Sequence, residues 1–423
     1  MNKELYNAYV GILKEELVPA MGCTEPIAVA YAAALARQTL GRMPQKVDVF
    51  VSANIIKNVK SVIVPHTGGM HGIAAAVAAG IAAGDAGRKL EVLSAIDADD
   101  VPSIKAYLEQ TPIQVGVSES GYLFDIQISV EGEGHTAFVQ IAGSHTNVIR
   151  IALDGADLHK ADYAENCQTQ SIDRNLLTVA DIVEFADDAV IDDVRAVLDR
   201  QIEMNKAIAR EGLRGTWGAG IGRVLLSAYG GDVHNRAKAV TAAGSDARMN
   251  GCELPVVINS GSGNQGMTAS LPVIVYAEEL ESGQDMLYRA LLVSNLVTIH
   301  LKTGIGRLSA YCGATSAGCG AGAGIAYLHG GKAYEVAHTI VNAIAINSGM
   351  ICDGAKSSCA AKIASAVEAG LLGWQMQAHG TQFYGGDGIV VKGVENTIRN
   401  IGRLARDGMA ETDREIISMM VNG

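Results

Sequence analysis

Aromatic residues are scarce in this chain, at 5% of 423 positions, and it has no excess of positive charge: the formal net charge is −12. With so few rings a core cannot be built on aromatic stacking. Without clustered Lys and Arg there is nothing to displace the counterions of a nucleic acid, so nucleic acid is excluded as a partner. Long apolar runs are missing too. The longest, Gly72 to Gly84 (GIAAAVAAGIAAG), is shorter than the roughly 20 residues a membrane-spanning helix needs. No membrane association is expected. The opening segment MNKELYNAYVGILKEEL carries acids throughout and reads as an amphipathic helix without the basic start of an export signal, so a cytoplasmic location is expected.

Small residues are abundant instead, with 49 glycines and frequent alanine runs inside a hydrophobic content of 48%. That composition points to helices that approach one another closely. A large Gly/Ala-rich helical surface also leaves room for a homodimer. The seven cysteines (Cys23, Cys167, Cys252, Cys312, Cys319, Cys352 and Cys359) are an odd set in a chain without an export signal, which favours metal binding or catalysis over disulfides.

A chain of 423 residues exceeds what one core usually accommodates, so two domains are expected. Strand-like alternation at Val47, Val49 and Val51, and again from Asp125 to Ala142 with a turn at Glu131 to Gly134 (EGEG), predicts a mixed α+β domain over residues 1–165. From about Thr178 the period changes. Ile182, Phe185, Ala189, Val190, Val194, Val197, Leu198 and Ile202 trace one helical face, predicting a long helix that opens a mostly α-helical domain over residues 166–423. The fold class is therefore α+β.

Cys23 lies in the stretch Pro19 to Pro26 (PAMGCTEP), a turn beside the start of an Ala-rich helix. A thiol at a helix N-terminus has its pKa lowered, which suits it to act as a base at neutral pH, with Thr24 or Glu25 helping to position it. In the C-terminal half, Cys312 precedes Cys352 by 40 positions, and Cys359 follows 7 later. Two turns of helix would place Cys352 and Cys359 on one face. Three thiolates on a four-iron cluster leave one iron open as a Lewis acid. On spacing alone, buried structural cysteines remain an alternative. Zinc is a weaker one, because no His or fourth Cys stands at finger-like spacing. Cys319, 7 positions after Cys312, competes for a place in the set.

The loop Ser260 to Gly266 (SGSGNQG) follows the apolar run Pro255 to Ile258, and its backbone N–H groups would make a nest for an anion, with Ser260, Ser262, Asn264 and Gln265 as candidate substrate contacts. It lacks the Lys of a phosphate-binding P-loop. His66 to His71 (HTGGMH) and Gly143 to Asn147 (GSHTN) are further polar clusters.

Four segments together, Met21 to Ile27 (MGCTEPI), Ser260 to Gly266, Tyr311 to Gly313 (YCG) and Ile351 to Lys356 (ICDGAK) with Cys359, resemble the L-cysteine desulfidases, which are related to the catalytic part of bacterial iron–sulfur L-serine dehydratases. The resemblance spans nearly the whole chain. It implies a 4Fe-4S cluster held by Cys312, Cys352 and Cys359, with Cys23 as the base that removes the substrate α-proton and Cys319 as a bystander. It also implies the reaction: a lyase splitting L-cysteine, a small amino-acid substrate, to pyruvate, ammonia and sulfide. L-Serine is the alternative substrate, because an open iron accepts hydroxyl oxygen as well as sulfur. Three other readings stand beside it: pyridoxal chemistry with Lys356 as the Schiff-base lysine, a non-catalytic iron–sulfur redox or sensing module, and a metal-free binding protein.

Overall fold

The computed structural model describes residues 1–161, 172–306 and 309–422, so Cys167 and the expected boundary at residue 165 lie outside the described residues. The first half runs α1 (Lys3–Glu16), β1 (Pro19–Met21), α2 (Thr24–Leu40), β2 (Lys46–Val51), α3 (Ala53–Val59), α4 (Ile73–Ala83) and α5 (Val101–Gln110). Five strands follow: β3 (Ile113–Val117), β4 (Asp125–Gly132), β5 (His135–Ala142), β6 (Val148–Leu153) and β7 (Ala156–Lys160). They join β2 in a six-stranded sheet of order β3-β2-β4-β5-β6-β7. Only β2 and β3 pair in parallel.

The alternation read in the sequence sets the faces of this sheet. Val47, Val49 and Val51 are fully buried on one side, with Ile126, Ile128 and Val139 of the neighbouring strands. The β4–β5 hairpin turns at Glu133 and Gly134, both at positive φ, as a two-residue hairpin loop requires. The Ala-rich helices α2 and α4 cover the buried face and complete a first core.

The second half is helical: α6 (Val179–Asp188), α7 (Arg195–Arg214), α8 (Ile221–Tyr229), α9 (Val233–Met249), the short β8 (Pro255–Val257), α10 (Gly263–Glu279), α11 (Gln284–Ile305), α12 (Gly313–Leu328), α13 (Ala333–Ile346), α14 (Cys359–Ala378), α15 (Val394–Arg403) and α16 (Ala410–Asn422). These helices enclose a second core. The α+β class read from the sequence holds. No helix among the described residues is long and apolar enough to cross a membrane.

Two details differ from the sequence reading. The long helix expected from Thr178 is broken between α6 and α7, where Ala189 and Val190 adopt extended backbone. Asp187 and Asp188 sit at the C-terminal end of α6, where the helix dipole disfavours acids, and Asp187 turns outward to accept from Tyr327 and Lys332. Helix α1 joins the second core, its Tyr9 ring 5.4 Å from that of Phe185.

Close helix approach, expected from the glycine and alanine content, is seen where α12 crosses α14. A β-carbon at Gly318 would stand 2.1 Å from the Ala366 carbonyl oxygen, and one at Gly370 2.0 Å from that of Gly318. Backbone meets backbone there. The crossing holds the N-termini of α12 and α14, and so Cys312 and Cys359, at one end of the second core.

Candidate active site

Cys312 is the N-cap of α12 and Cys359 the first residue of α14. Cys352 joins them through an antiparallel bridge between Tyr311 and Ile351, in which Cys312 N–H donates to Met350 O at 2.8 Å and Cys352 N–H to Ala310 O at 2.6 Å. Cys352 and Cys359 are therefore not on one helical face, contrary to the expectation from their spacing. The loop between them is bent at Gly354, which takes φ +94° and passes so close to Lys57 that a β-carbon would stand 2.0 Å from the Lys57 carbonyl oxygen.

Cys23 is the N-cap of α2 and is 3% exposed. Its thiol donates to Glu25 Oε2 at 3.1 Å, and Glu25 also accepts from Thr24 Oγ1 at 3.1 Å and Asn58 Nδ2 at 3.4 Å. Burial first, and then the Glu25 carboxylate, push the thiol well above its ordinary range, with the Arg248 charge opposing. The expected lowering by the helix terminus is overridden: in this arrangement Cys23 is a neutral thiol.

The Ser260 loop is built rather than slack. Asn259 and Ser262 exchange backbone hydrogen bonds at 3.1 Å across Ser260 and Gly261, both at positive φ. Beneath it, Asn259 Nδ2 donates to Asn295 Oδ1 at 3.0 Å, and Asn295 exchanges amide hydrogen bonds with Gln201, all fully buried. Asn205 holds β8 through Val257 N at 2.9 Å. Thr24 Oγ1 donates to Gly261 O at 3.3 Å, joining this loop to the start of α2.

These segments enclose one cavity of about 240 Å³. Cys23, Ser260, Ser262, Asn264, Gln265, Cys312, Cys352 and Cys359, all read as site residues from the sequence, line it together. Ser144 and His145 reach it from the first core, with the His145 ring edge-on to Phe124 at 4.8 Å. Other candidates fall elsewhere. His66 lies outside the lining and faces Glu253 at 3.3 Å. Lys356 is held by Asp353, which leaves it no place in the cavity as a Schiff-base lysine. Cys319 is buried inside α12, where desolvation pushes its thiol up to about 12.

Four cations in the lining, Lys57, Arg248, Lys302 and Lys362, were not singled out in the sequence. Lys57 pairs with Asp413 of α16 and Lys362 with Asp353. Lys302 is buried, and desolvation lowers its pKa to about 8 against the pull of Cys352 and Cys312. Arg248 is 3% exposed, and its Nε is buried without a partner. The signal for Lys57 and Lys302 was available: each is a lone cation in an apolar helical stretch, ANIIKNV and LVTIHLKTGI.

Cys352 is shifted toward thiolate, chiefly because the Cys312 thiol donates to it, with Lys57 and Lys302 assisting. Cys312 is correspondingly pushed up as the donor. Thiol donors alone, helix N-termini behind Cys312 and Cys359, and buried lysines opposite them make a wall that fits a negatively charged iron–sulfur cluster. Among the described residues no three His, Cys, Asp or Glu side chains converge on one point as the ligands of a single ion would. A cluster gives each thiolate its own iron.

Against known families, a model described as the serine dehydratase alpha chain matches residues 87–418, a span that contains Arg248, the Ser260 loop and the three cysteines but not Cys23 or Lys57. A UPF0597 protein of Desulfitobacterium hafniense is 60% identical over 417 residues, covering 99% of this chain and 97% of the relative. One from Lachnoclostridium phytofermentans is 49% identical over 418 residues, covering 99% and 100%. One from Vibrio campbellii is 38% identical over 427 residues, again covering 99% and 100%.

Proposed function

The chain belongs to the serine dehydratase alpha chain family, and from that premise we propose that it is an iron–sulfur lyase that removes the β-substituent of a small L-amino acid, with L-cysteine as substrate and pyruvate, ammonia and sulfide as products. The observation that carries the reading is the convergence of Cys312 with Cys352 and Cys359, from two stretches of chain 40 positions apart, on a cavity that also receives Cys23. Cys312, Cys352 and Cys359 would hold a 4Fe-4S cluster, which when bound supplies a Lewis-acidic iron for the leaving group.

The remaining steps fall to the chain's own side chains. Cys23 is a neutral thiol hydrogen-bonded to Glu25, so it acts as a base only after its proton passes to that carboxylate. The positive Arg248 favours the resulting thiolate. The thiolate then takes the substrate α-proton, the Cα–H electron pair forms the Cα–Cβ double bond, and the Cβ–S bond breaks with its electron pair leaving on sulfur as hydrosulfide. The released 2-aminoacrylate tautomerises and is hydrolysed by water to pyruvate and ammonia. Burial of Cys23 keeps bulk water from competing for the proton.

L-Serine is the second reading, favoured by the description of the matching family. Replacing Cys23 by Ala tests the assignment of the base. The variant is expected to retain its iron and sulfide after anaerobic reconstitution while sulfide release from L-cysteine falls by at least about 100-fold, the lower range for a general base. Loss of iron together with activity would instead make Cys23 a ligand.

A further inference from the structure

Arg248 closes α9 with its guanidinium inside the cavity, 3% exposed, with Nε buried and unpartnered. No ion pair or hydrogen bond among the described residues neutralises it, whereas Lys57 and Lys362 each have a carboxylate. A buried charge without a counterion is strongly unfavourable, so such an arrangement persists where a ligand supplies the missing sign. What Arg248 lies against sharpens the point. A β-carbon on Gly263 would stand 2.5 Å from Arg248 Nε, so the guanidinium rests on the first residue of α10. Helix α10 spans 17 residues, and its N-cap Ser262 makes no side-chain capping bond. The first-turn amides and the positive end of the helix dipole therefore face the same place as the guanidinium. A cation at a helix N-terminus is repelled unless an anion lies between them.

On the same wall, Asn264 Oδ1 and Gln265 Oε1 are buried acceptors without donors. This corner of the cavity thus holds a cation without an anion and two amide oxygens without a donor. Those are the two ends of an α-amino acid zwitterion.

We propose that Arg248, with the N-terminus of α10, is the receptor for the substrate α-carboxylate, and that Asn264 and Gln265 take the α-ammonium. The proposal rests on the amino-acid lyase reading but is tested without the reaction. L-Alanine carries both groups and no leaving group; ethylamine is the same molecule without the carboxylate. Calorimetric binding of each to the anaerobically prepared holoprotein is compared among wild type, Arg248→Gln and Arg248→Lys.

Wild type is expected to bind L-alanine at least tens of times more tightly than ethylamine. Arg248→Gln should weaken L-alanine roughly 10- to 100-fold, the ratio a charge-assisted hydrogen bond is worth, and leave ethylamine unchanged. Arg248→Lys keeps the charge and most of the stem and should fall between. Should Arg248→Gln not fold, the Lys variant alone decides, because losing the planar fork should weaken L-alanine several-fold without touching ethylamine. Undiminished L-alanine binding in the variants, equal loss of both ligands, or no L-alanine binding by wild type would overturn the proposal. If L-alanine binds through Arg248 but neither L-cysteine nor L-serine is turned over, the carboxylate receptor stands and the lyase reading falls.

Discussion

Replacing Gly318 by Ala tests whether the α12–α14 crossing is what holds the cysteines together. The new β-carbon would stand 2.1 Å from the Ala366 carbonyl oxygen, where ordinary contact begins at 3.4 Å. The obstacle is backbone on both sides, so no flexible side chain can yield. The helices must part by roughly 1 Å in an interior that is already close-packed. Overpacking of this kind costs typically about 1–3 kcal/mol. The greater helix propensity of Ala returns about 1 kcal/mol. A net loss of about 2 kcal/mol is expected when a rigid obstacle puts the cost at the upper end of that range. Because Cys312 and Cys359 begin the two helices, the separation should also reduce iron retention. Urea unfolding followed by circular dichroism gives the first quantity, and iron analysis after anaerobic desalting the second. Gly231→Ala is the control: no atom lies within 4 Å of its β-carbon position, and its effect should stay within about 0.5 kcal/mol. A Gly318→Ala protein with wild-type stability and full iron content would refute the reasoning.

Two further outcomes follow from the packing. Asn295→Ala removes the centre of the buried amide network, leaving the Gln201 amide without either partner and Asn259 Nδ2 with only the residue 295 backbone carbonyl; it should cost about 3 kcal/mol, read as a shift in urea midpoint, and expose the Ser260 loop to limited proteolysis. Glu368 of α14 is held at about 2, first by hydrogen bonding to His234 and then by Lys238, both on α9. A carboxylate lowered in the folded state stabilises above its unfolded value near 4.5 and loses that contribution as pH falls through about 2. Glu368→Gln should therefore be less stable than wild type at pH 5 and equal to it near pH 2. The difference at pH 5 should be about 1 kcal/mol or less, because the carboxylate is partly exposed and screened. A gap that persists unchanged down to pH 2 would contradict the assignment.

Half of the sheet, β2 and the β4–β5 hairpin, was legible in the chain because Val47, Val49 and Val51 alternate and the EGEG turn sits between two strands of equal length, whereas β3, β6 and β7 gave no reading. Close helix packing was legible from glycine and alanine. The Cys312, Cys352 and Cys359 set was named through resemblance, since no local rule places Cys352 in a bridge with Tyr311 rather than on a helix with Cys359. That pairing is long-range, and the bend at Gly354 depends on the distant Lys57 backbone. The state of Cys23 was misread for a similar reason. Helix position is local, whereas its burial and the Glu25 contact belong to the folded site. The break between α6 and α7 shows the same limit, since the apolar period runs on through residues whose backbone has turned. Arg248 gave no signal at all, because an arginine near the end of an ordinary helix looks like a surface residue until the cavity closes over it.

The central claim is that this cavity, with its cluster in place, eliminates the β-substituent of a small amino acid. The most direct test gives L-cysteine and L-serine side by side to the anaerobically reconstituted protein and quantifies sulfide and pyruvate. Equal amounts of sulfide and pyruvate from L-cysteine, dependent on the cluster and exceeding pyruvate from L-serine, are the predicted result. Pyruvate from L-serine in preference would contradict the choice of substrate, and a cluster-loaded protein that turns over neither would contradict the reaction itself.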